Sequence, residues 1–317
     1  MRIFLSLTVL LLVAAMCSLF IGVSSLTLSG LWQFDAQQWQ LLMVSRLPRL
    51  VSILIAGAAL SVCGLVMQNL SRNRFVSPTT AGTMDSARLG ILLAIVLFPN
   101  ASMLLKTGIA VVVAFIGTVL FMLILRKIKF KDAIFVPLVG IMFGNIISAI
   151  TLFLALKLDV LQNLSGWLQG DFSLMMTGRF ELLYLSVPAL LAVYALARYF
   201  AIVGLGEDMA RTLGLNYHIM LYLGLLIVAL VTAIVLVTVG MIPFLGLIVP
   251  NLVILYWGEN LRKVLPYTAL CGALFVLLCD IVGRVIIYPY EIAINTIVGV
   301  LGSGIFLLIL LKGYRHA

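Results

Sequence analysis

The chain has 317 residues, 64% of them hydrophobic and only 10% charged, with a mean hydropathy of +1.25. A soluble domain of this size keeps about a quarter of its residues charged, so the composition excludes a water-soluble fold and points to a polytopic, all-α membrane protein. The net charge of +9 would suggest a nucleic-acid partner in a soluble protein. Here it reads as lysine and arginine retained on the cytoplasmic side, and no nucleic acid is expected.

A spanning helix needs about 20 mainly apolar residues. On that template ten spans are expected, at 3–24, 45–70, 80–98, 104–125, 133–156, 180–201, 219–239, 243–257, 265–284 and 291–311. The chain is read as one transmembrane domain over 1–317, with its longest connections at 25–44, 157–179 and 202–218. With the N-terminus inside, thirteen lysines and arginines fall on the cytoplasmic side and six outside, with Arg88 within a span. This bias and the even number of spans place both termini in the cytoplasm. Trp32, Trp39 and Trp167 then lie on the outer side, where aromatic residues favour the interface. The N-terminal run to Val23 is longer than the apolar core of a signal peptide and is read as an uncleaved first span.

The second span opens with Arg46 and Arg49, and the ninth closes with Arg284. Two readings are open for these outer arginines. They can snorkel to the interface, or their planar forks can hold carboxylates of a partner. Asp280 lies four residues before Arg284, so an internal pair competes with a docking role. In the third span Asp85 and Arg88 share a helix face and are expected to form a structural pair, because a lone charge facing lipid is costly. Asn145, Ser148, Asn251 and Asn295 are polar positions within spans, where most such groups join helices. Gly140 with Gly144, and Gly299 with Gly302 and Gly304, are expected at close helix contacts.

The cytoplasmic loop 202–218, within AIVGLGEDMARTLGLNYHI, mixes charges with Gly204, Gly206 and Gly214. Glycine permits the turns that let a short helix lie across the membrane surface, so the loop is either a plain polar connection or a docking helix for a cytoplasmic motor. The stretch from Gly240 to Leu265 reads as a membrane segment broken at Pro243 and Pro250. Such breaks persist in lipid only where protein or a wet cavity satisfies the freed backbone groups.

Several classes are excluded by what the sequence lacks. There is no GxxxxGK[ST] loop for nucleotide, and no HExxH, GxSxG or carboxylate cluster. The only histidines are His218 and His316. The four cysteines lie in apolar runs without CxxC spacing, so neither disulfides nor a metal site is expected. Asp85 and Asp280 are the only candidates for coupling groups of a self-contained secondary transporter. The chain reads as a conduit driven from elsewhere, not as an enzyme.

Five stretches resemble the FecCD family of permeases: RLPRLVSILIAGAALSVCGLVMQNLSRNRFVSPTTAG (46–82), SGWLQGDF (165–172), GEDMARTLGLN (206–216), GMIPFLGLIVPN (240–251) and the run from Leu265 to Leu310. The resemblance runs nearly end to end. It implies a type II ABC importer permease for iron–siderophore, haem or cobalamin, in a bacterial inner membrane. NRFVSPTTAGTMDSARLGIL (73–92) is most similar to a subgroup serving catechol siderophores such as anguibactin, vibriobactin or petrobactin. The implied assembly has ten helices per permease and a second permease, identical or related, around a central pathway. Two cytoplasmic ATPases, which use the ATP and magnesium, lie below, and a periplasmic or lipid-anchored siderophore-binding protein docks above; the permease itself has no cofactor.

By this resemblance Glu207, Asp208, Arg211, Leu213 and Gly214 contact the ATPase, and Arg46, Arg49 and Arg284 face the binding protein. Asn73 and Phe75 form an inner gate, with Asn145 and Ser148 on the pathway. A plain cytoplasmic turn remains the alternative for the gate. Two departures stand out: Arg74 replaces a usual proline in the gate turn, and Asn251 replaces a usual histidine.

Overall fold

The computed structural model describes residues 2–22, 35–128, 135–162, 164 and 169–313. Among these residues the chain is helical, without a strand. The longer helices are α1 (Arg2–Phe20), α3 (Leu47–Ser71), α4 (Thr83–Leu97), α5 (Met103–Lys127), α6 (Phe135–Lys157), α7 (Ser186–Leu205), α9 (Tyr217–Thr238), α10 (Leu245–Trp257), α11 (Leu261–Val285) and α12 (Ile294–Gly313). Two short helices flank them, α2 (Ala36–Leu41) and α8 (Glu207–Thr212). Each expected span coincides with a helix, and seven helical runs are long and apolar enough by themselves to cross a membrane. Of the others, α4 has 15 residues and α10 has 13.

Several helix starts follow from capping. The side chains of Ser102, Asn216 and Asn260 accept from the backbone N–H of Leu105, Ile219 and Lys263 at the first turns of α5, α9 and α11. Each bond satisfies a donor that a helix N-terminus leaves open.

The second span differs from its expected start at 45. Helix begins at Ala36, passes through a π-helical turn at Leu42–Arg46 and continues into α3, a run of 36 residues. Pro48 cannot donate to the carbonyl of Val44. That carbonyl instead accepts from the N–H of Thr177 at 3.1 Å, so a distant loop keeps the helix whole. A second correction concerns the two prolines. Pro243 lies in the irregular segment before α10, as expected, but Pro250 sits inside α10 without ending it. The carbonyl it leaves unpaired belongs to Gly246, and that oxygen is directed at Gly64 of α3.

Helix α3 is the centre of the bundle. It packs on α7, α9, α10 and α11, and it is buried over most of its length. At two crossings backbone meets backbone. A Cβ on Gly246 would stand 3.0 Å from the carbonyl of Leu60, and one on Gly57 would stand 2.7 Å from the carbonyl of Gly272. Helices α4, α5 and α6 form a neighbouring layer joined to the centre through α9. Gly140 and Gly144 let α6 approach Thr80 and Asp85, as expected, and Gly302 meets α10. Gly304 has nothing within 4 Å, so the expected close contact there is absent within this chain.

Candidate coupling, gate and docking sites

At one end of the bundle α7 stops at Gly206, whose φ of 112° and ψ of 169° suit glycine alone. Helix α8 follows and ends in a Schellman cap. Leu215 N–H donates to Ala210 O at 2.9 Å and Gly214 N–H to Arg211 O at 2.9 Å, with Gly214 at φ 74°. Gly214 therefore shapes the turn. Glu207 ties the helix down: Arg126 Nη2 and Arg211 Nη2 each donate to its carboxylate at 2.6 Å, and His218 Nε2 lies 3.4 Å away. These bonds hold α8 against the ends of α5 and α9. Its other face carries Met209 and Leu213, 55% and 60% exposed, beside exposed Asp208 and Arg211.

The five residues expected at the ATPase thus come together on one short helix and its cap. Sequence reasoning overlooked Met209, Arg126 and His218. The four-residue spacing of Met209 and Leu213 places them on one face and was a readable signal. The contact between Arg126 and Glu207, 81 positions apart, was not.

The turn after α3 adjoins this end. Arg72 closes α3 in the left-handed region at φ 52°, and Asn73 N–H donates to Gln68 O at 3.0 Å. Asn73 is buried, and its Oδ1 accepts from Phe75 N–H at 2.8 Å. The Phe75 ring meets Phe306 of α12 edge-on at 5.9 Å. Hydroxyls of Ser77, Thr79 and Thr80 lock the rest of the turn, with Thr80 Oγ1 donating to Phe75 O at 3.1 Å. Asn251 of α10 donates through Nδ2 to Arg74 O at 2.8 Å and to Leu247 O at 2.7 Å. The Arg74 guanidinium forms an ion pair with Glu259. Asn73 and Phe75 are therefore in one turn between α10 and α12. Asn145, exposed, and Ser148, half-buried, lie instead on α6, which packs on α4.

At the opposite end three arginines gather with two carboxylates. Arg49 Nη2 meets Asp280 Oδ1 at 2.8 Å, and its Nη1 meets Glu291 Oε2 at 2.7 Å. Arg284, only 3% exposed, pairs with Asp280 Oδ2 at 2.5 Å. It also donates to the carbonyls of Ser18 and Ile21 at 2.9 and 2.8 Å, and to Ser18 Oγ. Arg46, 8% exposed, donates to Ile21 O at 2.6 Å. The pairing of Asp280 with Arg284 is thus the arrangement found. Arg46 and Arg284 cap the end of α1, a helix that packs on α11 and is otherwise mostly exposed. The segment after Arg284 is exposed from Val285 to Tyr290 and carries Tyr288 and Tyr290, 64% and 75% exposed, which sequence reasoning passed over.

The two candidate coupling carboxylates are both paired. Asp85 Oδ1 lies 3.4 Å from Arg88 Nη1, the structural pair expected within the third span, and Asp280 is held between Arg49 and Arg284. A cleft of about 900 Å³ lies at the arginine end and is lined by Asp171, Arg179, Glu181 and Gly240 among others.

The model of the FecCD transport family matches residues 10–312. The chain belongs to the FecCD transport family. Among its relatives, the petrobactin import system permease protein YclN of Bacillus subtilis (strain 168) is 55% identical over 98% of this chain and 98% of that protein. The ferric-anguibactin transport system permease protein FatD of Vibrio anguillarum (strain ATCC 68554 / 775) is 40% identical over 94% and 95%. A solved chain from a transporter assigned to the metal-chelate type of ABC transporter, in an inward-facing conformation, superposes with a TM-score of 0.82 at 28% identity, covering 98% of this chain and 99% of that one. As a FecCD protein this chain is a multi-pass transport permease.

Proposed function

We infer that this FecCD chain is the permease subunit of an ATP-driven importer that moves a ferric siderophore of the petrobactin and anguibactin group across a bacterial inner membrane. The observation that carries this reading is the near full-length identity to the petrobactin import permease, together with an exposed apolar face on a tethered surface helix, α8. Ten spans with both termini inside, a second permease, two ATPases that use ATP and magnesium, and a siderophore-binding protein complete the arrangement.

Each end then has a task. Met209, Leu213 and Asp208 face the ATPase, while Glu207, Arg211 and Gly214 hold α8 in shape. Asn73 and Phe75 narrow the inner gate, and Asn145 and Ser148 face the pathway or the partner permease. At the arginine end three guanidinium groups, of Arg46, Arg49 and Arg284, stand with two carboxylates. That excess of positive charge favours an acidic surface on the binding protein, and exposed Tyr288 and Tyr290 supply apolar contact area there.

The test is uptake by vesicles holding the permease pair and ATPase, with ferric petrobactin delivered on its binding protein. Accumulation that requires ATP and survives collapse of the proton gradient supports the reading. Accumulation that stops with the gradient while ATP persists would replace it with a secondary transporter. Transport of cobalamin or haem in place of ferric petrobactin would reassign the cargo alone.

A further inference from the structure

The gate turn is joined to α10 by a side-chain hydrogen bond and, just past the end of that helix, by an ion pair. We propose that the turn 72–75 and the adjoining end of α10 move as a single gate element, with Asn251 as the positioning residue that joins them. This rests on the gate reading above and adds which parts move together and what holds them.

Three points of attachment lie between α3 with its turn and α10. The first is the backbone crossing of Gly64 and Gly246, where no side chain separates the helices. The second is Asn251, whose Nδ2 carries two protons that diverge. One goes to Leu247 O of its own helix at 2.7 Å and the other crosses to Arg74 O at 2.8 Å. A hydroxyl has a single proton and could not hold both. The third is the Arg74–Glu259 ion pair, placed just past the end of α10 at Gly258. A single contact would act as a pivot, whereas three separated ones fix the orientation of both segments.

The other neighbours hold the turn differently. Phe75 meets α12 through one ring edge, a contact that can slide because it has no hydrogen bond. On the side of α8, the Arg72 guanidinium lies against Gly206, where an added Cβ would stand 2.7 Å from Nη1. The start of α8 therefore abuts the turn through Arg72. A displacement of α8 is delivered to the turn and carried on to α10, while α12 slips past. The ion pair is well exposed and contributes little alone, so the fastening resides mainly in Asn251.

The experiment replaces the four native cysteines with alanine in the reconstituted importer and introduces Arg74→Cys with Glu259→Cys. A short, cleavable bifunctional maleimide then joins the two positions. If they travel together, linked importer takes up ferric petrobactin at within about twofold of the unlinked rate; if the linker blocks uptake and cleavage restores it, the single-element proposal is overturned. Spin labels on the same two cysteines need no cargo. Their separation should be the same in the nucleotide-free and ATP-trapped importer, and a changed separation refutes the proposal even if the cargo assignment is wrong. Asn251→Leu should raise ATP hydrolysed per iron imported about fivefold to tenfold, whereas Asn251→Gln, which keeps an amide with two N–H protons, should stay near the parent ratio. A purely structural role would lower hydrolysis and uptake together and leave that ratio unmoved, which would also overturn the proposal.

Discussion

The two ends of this bundle handle charge in opposite ways. At the arginine end, Arg46, Arg284 and Asp280 are buried, and they bond to one another or to the last turn of α1. At the α8 end, Glu207 gathers Arg126, Arg211 and His218 at the surface, and apolar Met209 and Leu213 point outward. Buried ions must be paired completely, because an unmatched one costs several kcal/mol. Exposed pairs cost little to break, so the surface network can position a helix without locking it. The buried ions of the arginine end thus serve integrity, with Tyr288 and Tyr290 exposed beyond them, whereas at α8 both the ion network and the apolar face lie at the surface.

That contrast sets the scale of substitutions. The largest effect is expected for Arg284→Leu, which takes the partner from Asp280 Oδ2 and from the Ser18 carbonyl and leaves Arg49 and Arg46 to hold Asp280 Oδ1 and the Ile21 carbonyl. Thermal unfolding of the purified complex should report a loss of about 3–5 kcal/mol, and the double change with Asp280→Leu should recover much of it. Gly64→Ala comes next: its methyl group would collide with the Gly246 carbonyl, at a cost of about 1–3 kcal/mol in the same measurement. At the α8 end Leu213→Ala should leave the melting temperature of the permease unchanged but weaken binding of the ATPase about tenfold, read by titrating ATPase onto immobilised permease. The smallest stability change, under about 1 kcal/mol, belongs to Glu207→Gln. Its expected signature is faster hydrogen exchange across α8. An Arg284→Leu permease as stable as the parent, or a Leu213→Ala permease that melts early, would erase the distinction between the ends.

Much of the fold was legible because lipid demands long apolar runs, and each such run is a helix. The departures share one physical cause. Pro48 and Pro250 have the chemistry of helix breakers, yet Thr177 takes up the first freed carbonyl and the second is turned toward Gly64. Local reading cannot see a bond made 133 positions away by Thr177 to Val44. Helix α8 was readable for the opposite reason, since its cap at Leu213 and Gly214, its i,i+4 face and its flanking glycines are all local. The arginine cluster was visible as residue types. Its geometry depended on Ser18 and Arg284, which are 266 positions apart.

That separation has a consequence for how the chain is made. Helix α1 is made before α11, and of the two guanidinium groups that secure its last turn Arg46 follows soon after, whereas Arg284 follows Ser18 by 266 positions. Until α11 is in place, the Ile21 carbonyl has Arg46 and the Ser18 carbonyl still lacks Arg284. A nascent chain halted before residue 284 therefore holds the end of α1 through Arg46 alone, and α11 adds the second clasp.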